Sequence, residues 1–479
     1  MAKYLVMYSG LNEEIIAKIL EHGNLYEVGG AVRDRLLHPE IEPKDIDYLV
    51  TGVPLNDLVT ILSPFGRVDL VGKSFGVIKF TPSQRFTGGG ESVTYDIALP
   101  RKEISTGKGH RDFQVEFSAE GGSASGGDHR ISVEEDLGRR DFTINAMALS
   151  LMRNAECGMR RADMLIDPFG GRQDLEERII RLVNPNAFEE DPLRMLRAVQ
   201  FAARFEFSIE EKTFKQMKSQ ASLIQSISPE RIQEELNKML LKANRPSIGF
   251  WLMKESGLLK EILPELQEGV GISQPGGYHR YDVFEHSIIM TDESPKDLVL
   301  RLAALLHDVA KPRTKVLTLE GATFYGHERQ GVEMAKSVLQ RLRYSNEVTE
   351  KVLILVKKHM FSVPETDKGL RRLIRRVGEE GIFQLLELRR ADVKAQGMGG
   401  SLEYIDTFEK IIREELAKKP PLSVKDLAIN GYDVMQEFNL PSGPIIGKIL
   451  NHLLAKVLEN PKLNNKEELF KAARKFVKR

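Results

Sequence analysis

The sequence predicts an α+β protein, with a small α/β head in the first third of the chain and an all-α remainder. Two observations support this fold class. Up to about residue 155, short apolar and β-branched runs are separated by Gly, Pro and Asp, as in strands joined by turns. From about residue 174 onward, apolar residues recur with the 3.6-residue period of helices, and strand signals largely vanish. A chain of 479 residues is long enough for two or three hydrophobic cores.

Composition is that of an ordinary globular protein. Lys plus Arg and Asp plus Glu number 69 each, so net charge does not indicate a nucleic-acid partner and any basic surface must be local. The single cysteine, Cys157, excludes an internal disulfide framework and fits a reducing compartment. No run of about 18 apolar residues occurs, and the first residues are too weakly apolar for a signal peptide. We therefore expect a cytoplasmic protein without membrane contact.

The order of elements follows from these two patterns. Strands are predicted at 24–29, 46–51, 67–71, 76–80 and 93–99. The stretch from Pro100 to Glu134 is rich in Gly, Ser and charged residues, which predicts a mobile loop. Helices are predicted at 191–205, 209–218, 229–241, 245–256, 298–310, 330–342, 346–358, 369–378 and 402–417. Glycine-rich residues 268–277 and the Lys-Pro segment 418–422 are the expected domain boundaries.

A glycine pair at the first predicted strand-to-helix junction points to phosphate binding. Gly29 and Gly30 would let phosphate oxygens approach the backbone N–H groups at the start of the next helix. Arg33 and Asp34 follow one turn later in that helix. By itself this pattern could equally be a tight turn beside a surface ion pair.

Two carboxylates on the next strand, Asp45 and Asp47, favour a metal-dependent reaction. Residues two apart in a strand point to the same face, and two acids there repel each other unless a cation lies between them. Mg²⁺ with nucleotide phosphates is the usual occupant of such a site. Phosphate cradle and acids on neighbouring strands predict nucleotidyl transfer from a triphosphate. Asp96 on a later strand could complete the acid cluster, although a solvated strand-end aspartate is about as compatible with the pattern.

Two further segments carry charged residues suited to nucleotide recognition. Arg139, Arg140, Asp141 and Asn145 can offer guanidinium groups to phosphates and polar contacts to ribose hydroxyls, or else form a network within a capped helix. The segment 190–204 begins with an acid and a proline, typical of a capped helix start.

In that second segment, Asp191 and Arg194 have the chemistry to select a base, and Arg197 lies one turn beyond Arg194. Cytosine and adenine present an amino donor beside a ring-nitrogen acceptor, whereas guanine and uracil present a ring N–H there. A carboxylate with a guanidinium would therefore accept C and A and leave G or U with unpaired groups, at roughly 1–3 kcal/mol each. Helix capping alone would also explain Asp191.

These segments together resemble the bacterial tRNA nucleotidyltransferase and poly(A) polymerase family, which includes the class II CCA-adding enzymes. The resemblance covers about residues 5–265. Its motifs are Gly29-Gly-Ala-Val-Arg-Asp34, Asp45-Ile-Asp47, residues 139–146, 166–171, 190–197 and 228–236. It implies a polymerase-beta-like nucleotidyltransferase head at 1–160, a helical neck that binds RNA and nucleotide at 161–268, and a helical tail at 401–479.

By this resemblance, Asp45 and Asp47 would hold Mg²⁺, and Asp191 with Arg194 would template the base. The incoming nucleotide would also contact Gly30, Arg33, Arg140, Arg194 and Arg197. The implied activity is template-independent addition of C and A to tRNA 3′ ends from CTP and ATP. Alternatives are poly(A) polymerase activity and CC-only or A-only addition. The long glycine-rich stretch from 100 to 134 departs from the family's flexible loop and leaves the switch from C to A open.

The helical half carries a second candidate metal site. Its side chains are His286, His307, Asp308, His327, His359 and Asp392. A lone histidine on an apolar face is usually a satisfied core residue, but this set includes four of the ten histidines in the chain. Imidazoles and carboxylates from several helices suit a divalent transition metal or Mg²⁺.

The stretch from about 280 to 395 resembles the HD phosphohydrolase superfamily, so an HD domain is expected at 275–400. The resemblance implies that His286, His307, Asp308 and Asp392 bind a first divalent metal, with Mg²⁺, Mn²⁺ or Ni²⁺ as candidates. His327 and His359 would bind a second metal or the substrate phosphate. Phosphatase or cyclic-phosphodiesterase repair at RNA ends is the implied reaction. A structural HD-shaped body without hydrolysis is the alternative.

The tail and two basic clusters are candidate RNA contacts. Residues 422–468 resemble the family's C-terminal tail, and the clusters at 368–376 and 471–479 could bind phosphates or be solvated helix faces. A function of another class is a metal-dependent phosphohydrolase whose head merely binds RNA. The sequence gives no indication of oligomeric state.

Overall fold

The computed structural model describes residues 10–41, 43, 45–71, 77–86, 93–105, 113–117, 131–153, 160–161, 165–275, 280–319 and 321–477. The chain divides into two compact units. The first comprises residues 1–235 and 252–262, and the second comprises residues 236–251 and 263–479. Among the described residues, no helix has the length and apolar character needed to cross a membrane.

An eight-stranded mixed sheet forms the centre of the first unit. The strands of the unit, in chain order, are β1 Asn24–Val28, β2 Asp47–Thr51, β3 Gly66–Val71, β4 Val77–Pro82, β5 Tyr95–Ala98, β6 Arg101–Ser105, β7 Phe113–Phe117, β8 Ala148–Arg153, β9 Arg160–Arg161, β10 Leu165–Ile166, β11 Ile179–Ile180 and β12 Ser208–Ile209. The sheet order is β10-β8-β1-β2-β5-β4-β3, with β9 on β8. Strand β2 pairs antiparallel with β1 and parallel with β5.

Alternation along the central strand fixes which face of the sheet carries polar groups. Tyr48 and Val50 belong to the larger hydrophobic core, together with residues of the helices Glu13–Leu20 and Leu55–Leu62. Leu49 belongs to a smaller core on the opposite face. Because successive residues of a strand alternate between faces, Asp47 lies on the same face as Leu49.

Helices form most of the rest of the first unit, beside the two-stranded pairs β6–β7 and β11–β12. The helices wholly within the first unit are α1 Glu13–Leu20, α2 Gly30–Leu37, α3 Leu55–Leu62, α4 Val133–Gly138, α5 Gly171–Glu177, α6 Ala187–Glu190, α7 Leu193–Phe205 and α8 Glu211–Gln220. Helix α11 Leu258–Ile262 also belongs to the first unit and follows residues 236–251, which belong to the second. Helices α9 Pro229–Lys242 and α10 Pro246–Ser256 each contribute residues to both units. Helix α7 buries apolar residues that include Leu196 and Val199.

The second unit is almost entirely helical, as the 3.6-residue period predicts. After α11 Leu258–Ile262, its helices are α12 Pro264–Gln267, α13 Val283–Glu293, α14 Leu298–Leu306, α15 Lys311–Thr314, α16 His327–Arg341, α17 Asn346–Lys358, α18 Asp367–Val377, α19 Glu379–Ala395, α20 Glu403–Ala417, α21 Gly431–Phe438, α22 Pro444–Glu459 and α23 Lys466–Val477. A short hairpin, β13 Val316–Thr318 with β14 Gly321–Thr323, lies between α15 and α16.

The structure confirms the α+β fold class and the five predicted head strands, whose ends differ by one or two residues. The predicted mobile loop at 100–134 was wrong for part of its length, because β6 and β7 form an antiparallel hairpin there. Residues 106–112 and 118–130 of that stretch, and Cys157, lie outside the described residues. The helix predicted from Asp191 begins at Leu193, after a short turn of helix that ends at Glu190.

Candidate functional site

The glycine turn after β1 has a backbone conformation that only glycine adopts easily. Gly29 has φ of +72° and precedes the first residue of α2. A Cβ atom on Gly29 would lie 2.5 Å from Nη1 of Arg140. The turn therefore lies close to a guanidinium group and leaves no room for a side chain at residue 29. Val28, immediately before the turn, pairs with Asp47 on β2.

The predicted acids come together in the centre of the sheet. Asp47 and Asp96 are register partners in the parallel β2–β5 pair, and Asp45 lies two residues before Asp47. Burial raises the pKa of the Asp47 carboxyl; Arg140 lowers this pKa, whereas Asp96 and Asp45 raise it. The net shift is upward, with burial as its largest cause and both other acids adding to it. A divalent cation would relieve this repulsion, so the acid cluster, Asp45 with Asp47 and Asp96, fits a metal.

The buried carboxylate of Asp136, which sequence analysis did not single out, holds Arg139 and Arg140. Asp136 is fully buried on α4, and its Oδ1 accepts from Nε of Arg139 at 2.8 Å. Its Oδ2 lies 3.4 Å from Nη2 of Arg140. Both arginine side chains remain partly exposed, at 24% and 21%. Asp136 thus holds Arg140 beside the glycine turn.

Arg33 and Asn145 form a buried network rather than an open surface. Arg33 donates from Nε to Asp34 at 2.8 Å and from Nη1 to Oδ1 of Asn145 at 2.6 Å. Its guanidinium also lies over the rings of Phe201 and Phe205. Burial lowers the pKa of Arg33, against the attraction of Asp34. With 4% of the residue exposed, Arg33 has a clear packing role here, and its predicted contact with nucleotide stays a prediction.

Asp141 connects this network to α7. Its Oδ1 accepts from the Asn145 amide at 3.0 Å, and its Oδ2 accepts from Nε of Arg197 at 2.8 Å. Burial by itself raises the pKa of Asp141, but Arg197 and Asn145 outweigh it and hold the pKa below its usual range. Nη1 of Arg197 also lies 3.5 Å from Glu235. Charged residues of segments 139–145 and 190–204 therefore form one connected network of hydrogen bonds and ion pairs.

The two residues predicted to read the base are each bonded to another protein group. Asp191 accepts from the Leu193 backbone N–H at 3.2 Å through Oδ1, and from Arg231 at 2.7 Å through Oδ2. Arg194 donates to Glu190 at 2.9 Å and to the backbone oxygen of Arg139 at 2.9 Å.

Asp191 and Arg194 both retain the capacity for a further hydrogen bond. A carboxylate oxygen can accept more than one hydrogen bond, and a guanidinium has five N–H groups. Arg231 lies in the sequence motif at residues 228–236, but its pairing with Asp191 could not be predicted from the sequence. Other protein groups therefore hold both side chains in place.

The second unit brings together all six residues of the predicted HD set, which we call the histidine cluster: His286, His307, Asp308, His327, His359 and Asp392. All six are buried. Nε2 of His307 lies 2.9 Å from Oδ2 of Asp308, whereas Nε2 of His327 lies 3.4 Å from Oδ1 of the same carboxylate. The two oxygens of Asp308 thus face two different groups of histidines. Nε2 of His286 lies 3.2 Å from Asp392.

Backbone carbonyls fix which nitrogen of these rings is available for a metal. Nδ1 of His307 lies 2.8 Å from the oxygen of Ala304, and Nδ1 of His359 lies 2.7 Å from that of Val356. Because a carbonyl can only accept, Nδ1 carries the hydrogen. Burial lowers the pKa of His359 to about 3, so this ring is neutral and its Nε2 has a free lone pair.

That lone pair points at another imidazole. Nε2 of His359 lies 3.1 Å from Nε2 of His327, whose Nδ1 is 2.8 Å from the Phe324 oxygen. Two lone pairs in that position repel unless a proton or a cation lies between them. Among the described residues, the groups of three or more His, Cys, Asp or Glu with ligand atoms within 4.8 Å of one another are both in this cluster. The acid cluster of the head is more open than this.

Three protein families match separate parts of the chain. The poly A polymerase head domain matches residues 25–181, and the probable RNA and SrmB-binding site of polymerase A matches residues 206–269. The putative tRNA nucleotidyltransferase domain 2 matches residues 327–473. The first match includes the glycine turn and the acid cluster, and the third includes His327, His359 and Asp392.

Similar proteins of known activity cover most of the chain. An A-adding tRNA nucleotidyltransferase from Deinococcus radiodurans is 35% identical over 342 residues, which are 67% of this chain and 74% of that protein. A multifunctional CCA protein from Methylobacillus flagellatus is 36% identical over 347 residues, or 70% of this chain and 73% of that one.

The fold is shared with solved structures of the same kind of enzyme. The CCA-adding enzyme of Bacillus stearothermophilus in complex with CTP has a TM-score of 0.63 and 24% identity, and the match covers 97% of each chain. A Thermotoga maritima CCA-adding enzyme complexed with tRNA has a TM-score of 0.51 and 22% identity. At this level of identity the likeness concerns the fold.

Proposed function

The chain belongs to the tRNA nucleotidyltransferase and poly(A) polymerase family, and we propose that it adds C and A to tRNA 3′ ends from CTP and ATP without a nucleic-acid template. One observation supports this proposal above all. The register pair Asp47–Asp96 lies directly beside a glycine turn that contacts Arg140, so acids and phosphate cradle are neighbours. Enzymes of this family use divalent metals, and we propose Mg²⁺ for the head.

The acid cluster and the glycine turn would have separate roles in phosphoryl transfer. Asp45, Asp47 and Asp96 would hold the metal, which when bound neutralises phosphate charge and favours attack by the RNA 3′-hydroxyl on the α-phosphorus. The N–H groups after Gly29 and the guanidinium of Arg140 would hold the triphosphate and then the departing pyrophosphate.

Selection of C and A would depend on Asp191 and Arg194. The carboxylate would accept from the exocyclic amino group, and the guanidinium would donate to the ring nitrogen. Arg231 at one side and Glu190 at the other already restrict these two side chains. Preorganised readers of this kind discriminate better than mobile ones, because a fixed donor cannot move away from the ring N–H of guanine or uracil.

Separate nucleotide additions test this proposal. tRNA that ends at its discriminator base is incubated with CTP alone, with ATP alone and with both, and products are resolved at single-nucleotide length. Full CCA addition predicts two C residues with CTP and completion only when ATP is also present. A second substrate that already ends in CC identifies an A-only enzyme, the activity named for the Deinococcus relative. Failure to incorporate any nucleotide into either substrate would refute the proposal.

A second function is favoured by the histidine cluster, which we propose to be a divalent-metal phosphohydrolase site of the HD type. The supporting observation is the convergence of imidazole Nε2 atoms on both oxygens of one buried carboxylate, Asp308. His286, His307 and Asp392 with Asp308 would form one metal position. His327 and His359 would face the other oxygen and would hold a second metal or the substrate phosphate.

Hydrolysis is tested with metal-free protein reloaded separately with Mg²⁺, Mn²⁺ or Ni²⁺. A generic phosphate monoester and a nucleoside 2′,3′-cyclic phosphate serve as substrates. We expect at least one metal to restore hydrolysis in the wild type and in Asp47→Ala, but not in Asp308→Asn. Bound metal without hydrolysis under every condition would leave the structural HD body as the correct alternative.

A further inference from the structure

A row of charged residues runs across the sheet at the level of the acid cluster. Lys79 on β4 is the register partner of Asp96 on β5, and Asp96 is the partner of Asp47 on β2. On the other side, Lys79 pairs with Asp69 on β3. Register partners point to the same face of a sheet. Lys79 therefore lies on the face that carries the acids.

The packing of the neighbouring residues supports this placement. Ile78 and Phe80, on either side of Lys79 in β4, are fully buried in the larger core on the opposite face. Ile97 of β5 belongs to that core too, which puts Asp96 on the same face as Lys79. The lysine side chain cannot turn inward without displacing this core.

The contact between Lys79 and Asp96 is weak enough to be exchanged. Nζ of Lys79 lies 3.7 Å from Oδ1 of Asp96, and the two side chains are 48% and 46% exposed. Ion pairs this exposed contribute little to stability. Asp69, the other acid beside Lys79, accepts from Nε of Arg67 at 2.9 Å. Lys79 thus lies next to the candidate catalytic acids, and its ammonium group can reach a ligand.

The position of Lys79 along the sheet indicates which substrate it meets. The glycine turn follows β1 and contacts Arg140, which precedes β8, so the triphosphate cradle lies on the β1–β8 side of Asp47. Lys79 lies on the opposite side, two strands beyond Asp47. In phosphoryl transfer the attacking and leaving oxygens are roughly in line on opposite sides of the phosphorus. The attacking RNA terminus is therefore expected on the side of Lys79.

We propose that Lys79 binds a backbone phosphate at the 3′-terminal end of the acceptor RNA and so places the attacking hydroxyl at the acid cluster. The inference rests on the proposed nucleotidyl transfer. Lys79 would exchange its contact with Asp96 for the RNA phosphate when Asp96 engages the metal. The ammonium carries a compact positive charge with three donors, which suits a single phosphate.

The experiment compares Lys79→Ala, Lys79→Arg and a control, Lys18→Ala, whose side chain lies on α1, is 46% exposed and pairs with Glu21. Steady-state constants are measured separately for tRNA and for CTP. We expect Lys79→Ala to raise the KM for tRNA about tenfold, the effect of losing one charged phosphate contact. The KM for CTP should stay unchanged, Lys79→Arg should recover most of the affinity, and the control should match the wild type.

A binding measurement separates failure of this inference from failure of the proposed function. An RNA stem with a single-stranded 3′ end is titrated, without nucleotide, into wild type and Lys79→Ala at several salt concentrations. Loss of one phosphate contact should reduce the slope of log K against log salt by about 0.7 to 0.9. An unchanged slope and affinity would overturn the role of Lys79, whether or not the wild type transfers nucleotides. A raised KM for CTP alone would place Lys79 with the triphosphate and would also overturn it.

Discussion

At the scale of single residues, both backbone conformation and a neighbouring guanidinium group favour glycine at position 29. Its positive φ and the closeness of Arg140 are two independent reasons against a side chain. For Gly29→Ala we expect kcat/KM for CTP to fall about 100-fold, because a Cβ would displace the guanidinium of Arg140, the proposed phosphate ligand, by about an ångström. Gly170→Ala is the matched control, since Gly170 has φ of +74° but an open space at its Cβ position. Equal losses of activity in both variants would attribute the effect to strain alone.

A second prediction at this scale concerns base selection. Arg231 holds Oδ2 of Asp191, and Arg231→Gln should let that carboxylate move. Incorporation of U or G relative to C or A should then rise about tenfold, equivalent to losing about one hydrogen bond of discrimination. Competition assays with all four nucleotides measure this ratio. Arg172→Gln, which removes an exposed guanidinium paired with Glu176, should leave the ratio unchanged. Unaltered selectivity in Arg231→Gln would argue against Asp191 as a base reader.

Residue types and spacing indicate candidate site residues but not the partners of those residues. Gly29, Asp47 and Asp191 could be chosen because turn, metal and base chemistry each demand a particular group. Asp136 and Arg231 could not, because the contacts that give them a role join segments far apart in sequence. Such pairings depend on how elements pack, which local patterns do not specify.

At the scale of elements, Arg301 links two helices through backbone carbonyls. It is 2% exposed and donates to the oxygens of Leu240, Ala243 and Ser294, near the ends of α9 and α13. Arg301→Met should destabilise the second unit by about 2–3 kcal/mol, because several buried acceptors lose their donor. Thermal and denaturant unfolding measure the change.

Arg413 provides the comparison for this prediction. It is 65% exposed and pairs with Glu409 on the same helix, so Arg413→Met should change stability by no more than about 0.5 kcal/mol. If the two variants unfold alike, the carbonyl contacts of Arg301 do not support the helix ends as described.

Physical reasons explain which helices and strands could be predicted from the sequence. Strand β2 was predictable because apolar β-branched residues are flanked by turn residues, and helix α7 because its apolar positions repeat at helical spacing. Helices α13 and α19 were not predicted, since their buried residues are spread around the helix and leave no single apolar stripe. The β6–β7 hairpin was missed because its pairing spans a segment whose composition resembles a loop.

At the scale of the whole molecule, the chain combines a nucleotidyltransferase head with a helical unit that has its own candidate metal site. The two sites use different residues of different units, so they should respond separately to substitution. We expect added Mn²⁺ or Ni²⁺ to raise the unfolding temperature of the wild type and of Asp47→Ala, because a ligand that binds the folded state stabilises it. Asp308→Asn should abolish this response while it retains nucleotidyl transfer. A full response in Asp308→Asn would place the metal elsewhere.

We propose that protein side chains, rather than a complementary strand, select the nucleotide at a site organised by Asp47. Sequencing of the 3′ ends of tRNA after incubation with all four nucleoside triphosphates tests this selection. The wild type should add only C, C and A in that order, and Asp47→Ala should add nothing. Addition of U or G by the wild type, or any extension by Asp47→Ala, would contradict it.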